Sequence, residues 1–111
     1  MWEKNDINII KTNDFYSLYK AKPNKILLID VRENEEFSNS SIEGSISMPL
    51  SHLNQESDLK FIQKESLSKE VFTICKSGKR SEEASRILSK FKIQSRSIEG
   101  GIEKVQKILG N

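Results

Sequence analysis

The chain has 111 residues, 35% of them hydrophobic and 31% charged, which suffices for one core of ordinary size and not for two. Eighteen basic against sixteen acidic side chains leave a net charge of +2, too small to argue for nucleic acid, and no apolar run reaches the length of a bilayer span. A single cysteine excludes an internal disulfide, and with a single histidine (His52) it cannot build a conventional structural zinc site. The expectation is one domain over residues 1–111, with no metal, cofactor, nucleic acid or membrane partner. The opening MWEKNDINII has neither the cationic start nor the long apolar stretch of a secretory signal, so the expected location is the cytoplasm.

Ile7, Ile9 and Ile10 predict a short first strand. Thr12 is a candidate N-cap for a helix carrying Phe15, Leu18 and Tyr19 on one face, and Pro23 ends it. Lys25 to Val31 is apolar up to Asp30, as in a central strand covered on both faces. A polar stretch from Arg32 to Phe37 predicts a loop and a short helix, and Ser45 to Met48, closed by Pro49, another strand. From Ser51 to Lys64 the apolar positions Leu53, Leu59 and Ile62 fit a helix only loosely. Val71 to Cys75 is a β-branched strand, and beyond the next loop Ala84, Ile87, Leu88 and Phe91 recur at i, i+3, i+4 and i+7. A strand over Ser95 to Ile98 runs into Gly100-Gly101, and Ile102, Val105, Ile108 and Leu109 mark a closing helix. Strands alternating with helices predict an α/β fold, with a mainly parallel sheet of about five strands and helices on both faces.

In such folds ligands gather at the carboxyl ends of the strands, where Cys75 falls. The segment CKSGKRS places that thiol between a strand and a helix N-terminus, with Lys76, Lys79 and Arg80 close in sequence. Loop N–H groups, a helix dipole and three cations all favour an anion there, so Cys75 is expected to have a depressed pKa and to be nucleophilic. Gly78 is expected to let the loop curl so that backbone N–H groups converge on the sulfur, a curl that a Cβ would hinder. Ser77 and Ser81 add hydroxyl donors, and Ser81 is a candidate N-cap. A thiolate in this field suits redox sensing, phosphoryl transfer or sulfur transfer. With no second cysteine in the chain, dithiol redox chemistry is disfavoured.

Four segments carry a resemblance. Leu28-Ile29-Asp30-Val31-Arg32 with Glu35-Glu36-Phe37, Ile42 to Pro49, Cys75 to Ser81, and Ile98-Glu99-Gly100-Gly101-Ile102 resemble, in order, the signatures of the rhodanese family of sulfurtransferases. The resemblance implies a three-layer rhodanese-like fold and a Cys75 persulfide. That persulfide would take sulfane sulfur from a small anion such as thiosulfate and pass it to cyanide, a thiol or a protein. Lys76, Ser77, Gly78, Lys79, Arg80 and Ser81 would form the active-site loop. The chain departs from the family pattern at Ser40-Ser41, Ser45 and Val105, which read as packing changes away from the loop. Phosphatases related to this fold separate cysteine and arginine by five residues. Here four lie between Cys75 and Arg80, a tighter cradle that suits one sulfur atom better than a phosphoryl group.

Plainer explanations stand beside these. A lone cysteine after an apolar strand is commonly a small buried hydrophobe, and it is the four segments together that favour chemistry. Asp30 and Arg32 sit at a strand end, where such a pair more often braces loops than lines a substrate path. Lys76 and Lys79 read equally as a solvated patch or as substrate attraction, and His52 reads as a surface residue. Trp2, Phe15, Tyr16 and Tyr19 are expected as core or surface aromatics. The alternative function is a sulfur-relay or non-catalytic interaction module that works with a protein partner, such as a cysteine desulfurase or a sulfur-carrier system. Met1 and the complete set of segments suit a stand-alone protein at least as well as a domain cut from a larger one.

Overall fold

A computed structural model describes residues 8–109, so the expectations for Trp2 and Ile7 lie outside the described residues. Five strands, β1 (Ile9–Ile10), β2 (Ile26–Asp30), β3 (Ile46–Ser47), β4 (Glu70–Ile74) and β5 (Arg96–Ile98), form one sheet in the order β1-β5-β4-β2-β3. Every pairing is parallel, where a mainly parallel sheet was expected. The connections carry helices α1 (Thr12–Ala21), α2 (Asn34–Asn39), α3 (Glu56–Glu65), α4 (Lys79–Lys90) and α5 (Gly101–Ile108).

The two central strands are buried on both faces, and the pleat sends alternate residues into two cores. Leu27, Ile29, Val31, Val71 and Cys75 join Leu59 and Ile62 of α3 and Ala84 and Leu88 of α4. Leu28, Phe72, Ile74 and Ile98 join Phe15 of α1 and Ile102 and Val105 of α5. Phe72 packs edge-on to Phe15, with ring centroids 5.2 Å apart. Burying each large aliphatic or aromatic side chain contributes about 1.5–3 kcal/mol, which is what holds both helical layers to the sheet. Among the described residues no helix is long and apolar enough to cross a membrane.

Two expected caps fall elsewhere. Lys11 occupies the N-cap of α1, and Thr12, the first helical residue, donates its hydroxyl to the Glu99 carbonyl at 2.5 Å, tying α1 to the turn before α5. Helix α4 begins at Lys79 behind Gly78, so Ser81 is its third residue rather than its cap. The loosely patterned Ser51 to Lys64 region resolves into a 3-10 turn (Leu50–His52) and α3. The buried face of α4 also differs from the apolar pattern: it is Ser81, Ala84, Ser85 and Leu88, while Phe91 is exposed. The reason lies opposite, where Thr73 of β4, Ser97 of β5 and Ser95 just before β5 line part of this interface with hydroxyls.

Candidate active site

Strand β4 ends at Ile74, and Cys75 follows it at the carboxyl edge of the sheet. Its side chain points to the α4 side and is 1% exposed, while Lys76, Ser77 and Lys79 on the loop above are exposed. The thiol therefore forms the floor of a turn whose rim is polar and cationic. Gly78 donates its backbone N–H to the Cys75 sulfur at 3.0 Å, and the Ser81 hydroxyl lies 3.5 Å from the sulfur. Burial pushes the Cys75 thiol up; hydrogen bonds from the Ser81 hydroxyl and from the N–H groups of Ser81, Gly78 and Ser77 more than offset it, leaving the pKa below the ordinary thiol value. The depressed pKa is as expected. The groups that lower it are hydrogen-bond donors at the helix start rather than the two lysines.

Gly78 permits the turn through its backbone rather than through space. Its φ is +119°, and an added Cβ would meet nothing closer than 3.9 Å. The positive φ, which side-chain-bearing residues rarely adopt, is what requires glycine there. Gly101 differs: its φ is +68°, and a Cβ would collide with the Lys76 carbonyl and lie 2.6 Å from the Cys75 carbonyl oxygen. The N-terminus of α5 presses against the underside of the loop at that point, and Ile102 donates its N–H to the Cys75 carbonyl at 2.8 Å.

Arg80 is engaged by Glu36 of α2 in a two-pronged ion pair at 2.7 and 3.0 Å. Glu36 also closes the capping box of α2 by accepting the Glu33 N–H at 3.0 Å. The Arg80 hydrogen bonds hold the Glu36 carboxyl down at about 2. Asp30 and Arg32 form a buried pair at 2.7 Å, and Arg32 also donates to the Ser40 carbonyl at 2.6 Å. That geometry braces the segment between α2 and β3. His52 is on the surface.

Two of the departures from the family pattern carry hydrogen bonds. Ser45 donates to the Ile42 carbonyl at 2.6 Å, and the Ser40 hydroxyl accepts from Gln106 of α5 at 2.5 Å. Sequence reasoning missed Glu36 and Gly101 as neighbours of the loop, although both lie in the quoted segments. It also missed Ser97, for which the sequence carries no signal. Among the described residues no three His, Cys, Asp or Glu side chains converge to hold a metal ion.

A floor thiol, a tight strand-to-helix turn and a Gly-Gly buttress are thus assembled from the four segments. The sequence model of the rhodanese-like domain matches residues 12–108. The chain belongs to the rhodanese-like family. A rhodanese-related protein of Thermoplasma volcanium superposes with a TM-score of 0.75 at 30% identity, over 91% of this chain and 92% of that one. A Schizosaccharomyces pombe protein named "Putative thiosulfate sulfurtransferase, mitochondrial" is 35% identical over 77% of this chain and 67% of its own length. A Gracilaria tenuistipitata protein named "Probable molybdopterin-synthase adenylyltransferase" is 36% identical over 78% of this chain. The match spans only 24% of that longer relative.

Proposed function

We propose that this chain is a sulfurtransferase that carries sulfane sulfur as a persulfide on Cys75. The observation that carries the reading is the convergence of the Gly78 N–H, at 3.0 Å, and the Ser81 hydroxyl, at 3.5 Å, on a thiol whose pKa is depressed. In the reaction the Cys75 thiolate attacks the sulfane sulfur of a small anion such as thiosulfate. An S–S bond forms to Cys75, the donor S–S bond breaks, and sulfite leaves with the electron pair. Cyanide or a thiolate then attacks the terminal sulfur of the persulfide, and the Cys75 thiolate is the leaving group. The N–H groups of Ser77, Gly78 and Ser81 stabilise the anionic sulfur in both steps. Lys76 and Lys79 on the exposed rim attract the anionic donor. Arg80, occupied by Glu36, locks the loop.

Phosphoryl transfer is disfavoured by the four-residue spacing and by the engagement of Arg80 with Glu36, which leaves no free guanidinium fork for a tetrahedral oxyanion. A second reading, a relay domain that takes sulfur only from a protein donor, is favoured by the likeness to one segment of the molybdopterin-synthase adenylyltransferase relative. Incubation with thiosulfate followed by mass spectrometry distinguishes the two. A gain of one sulfur atom, lost on adding cyanide and absent in Cys75→Ser, is the expected result. A wild-type protein inert to thiosulfate but loaded by a cysteine desulfurase would move the conclusion to the relay. No adduct from either source would leave a non-catalytic interaction module.

A further inference from the structure

Beneath the loop, five hydroxyls from three elements are buried together: Thr73 of β4, Ser81 and Ser85 of α4, and Ser95 and Ser97 at β5. Their bonds form two separate chains. Thr73 donates its one proton to the Ser81 carbonyl at 2.8 Å, so it must accept from Ser85 at 3.0 Å, and Ser85 accepts in turn from Ser95 at 2.8 Å. That chain fixes the backbone of Ser81. The second runs through the Ser81 side chain, which is 2.6 Å from the Ser97 hydroxyl, 2.9 Å from the Gly78 carbonyl and 3.5 Å from the Cys75 sulfur.

Proton counting orients the second chain. Among the described residues the Ser97 hydroxyl has one partner, Ser81, so a proton pointed elsewhere would be buried and unsatisfied. Ser97 therefore donates to Ser81. The single Ser81 proton is left with two acceptors, the Gly78 carbonyl while Cys75 is a thiol and the Cys75 sulfur once it is an anion. A hydroxyl that accepts a hydrogen bond is polarised and becomes a stronger donor. We propose that Ser97 is a positioning residue for the sulfur chemistry of Cys75, acting through Ser81 by directing and strengthening its hydroxyl donation to the sulfur anion. The proposal deepens the sulfur-transfer reading and rests on it for its biological meaning, but the hydroxyl chain itself can be tested on the free thiol.

The charged groups around the thiol are Lys76 and Lys79 on the loop, Arg80 paired with Glu36 of α2, Glu82 beside Gly78, the Asp30–Arg32 pair at the end of β2, and Lys104 of α5 over Gly100. None of them bonds to the Ser97 hydroxyl, so its removal leaves them in place. The experiment is the pH profile of Cys75 alkylation by iodoacetamide. For Ser97→Ala the midpoint is expected to move to higher pH and the rate at neutral pH to fall about 3- to 10-fold, the size of a half- to one-unit shift. The limiting rate at high pH should match wild type, whereas a merely loosened loop would change the rate at every pH. Ser97→Thr and Ser97→Val differ in shape only by a hydroxyl exchanged for a methyl, and they decide the matter if the alanine variant does not fold. The threonine variant is expected to keep the wild-type midpoint and the valine variant to lose it. An unmoved midpoint in the alanine or valine variant, or equal displacement in threonine and valine, overturns the proposal. If the profiles shift as expected while the wild type takes sulfur from no donor, the functional reading falls and the hydroxyl chain stands.

Discussion

A thiol taken out of water is inert unless its surroundings favour the anion by more than burial disfavours it. At Cys75 the balance is tipped by a few hydrogen bonds from one turn, so the site depends on how firmly that turn is held. The Arg80–Glu36 pair is one restraint, and it is sensitive to acid. The Glu36 carboxyl, held at about 2 in the fold against an ordinary 4.5, gives the folded state an advantage that is complete above about pH 4.5 and is lost as pH falls through about 2. Both side chains are about one-third exposed, so the pair is worth no more than about 1 kcal/mol. Glu36→Gln is expected to flatten the loss of thermal stability across that acid window, as followed by circular dichroism. Arg80→Lys keeps the charge but not the two-pronged geometry, and is expected to weaken persulfide accumulation from thiosulfate severalfold at neutral pH while the fold persists.

At the scale of elements, the loop is the junction of β4 with α4, clamped from below by the start of α5. Two glycines serve that junction for different reasons, and substitution separates them. Gly78→Ala meets only ordinary van der Waals contacts and suffers from its positive φ alone, so a cost of about 1–2 kcal/mol is expected, with the thiol still titrating. Gly101→Ala drives a methyl into the carbonyls of Lys76 and Cys75, so the loop must move. Its expected cost is larger, about 2–4 kcal/mol, and Cys75 alkylation should lose its depressed midpoint. Chemical denaturation read beside the alkylation profile checks both variants. Equal effects from the two would contradict the steric account.

Across the whole molecule the sheet carries an apolar core on each face and places the thiol on one and the Phe15–Phe72 pair on the other. Cys75 faces the α3–α4 layer, whereas Phe72 faces α1 and α5 and is fully buried against Phe15. Phe72→Ala is expected to cost about 3–5 kcal/mol in denaturant unfolding. In conditions where that variant remains folded, its Cys75 alkylation midpoint should equal that of wild type. A shifted midpoint would show that the two layers are coupled through the sheet.

The alternation of strands and helices, the buried central strands and the strand–loop–helix setting of Cys75 were legible in the sequence because each rests on local periodicity or on a residue type with few alternatives. The family segments added the fold and the turn. The buried face of α4 was read in part: Ala84, Ile87 and Leu88 pack on the core, but a search for apolar stripes passes over Ser81 and Ser85, whose burial becomes favourable only when Thr73, Ser95 and Ser97 arrive opposite with matching hydroxyls. The caps of α1 and α4 shifted because Thr12 and Ser81 lie inside their helices, where Thr12 donates to the distant Glu99 carbonyl and Ser81 donates to the Gly78 carbonyl while bonded to Ser97. The sequence by itself determined that a cysteine follows a central strand and precedes a helix. Only the tertiary structure decided how the turn between them is held, through Arg80–Glu36, Ser81–Ser97 and the Ile102 N–H on the Cys75 carbonyl, because hydrogen bonds between residues far apart in the chain exist only once the layers have packed.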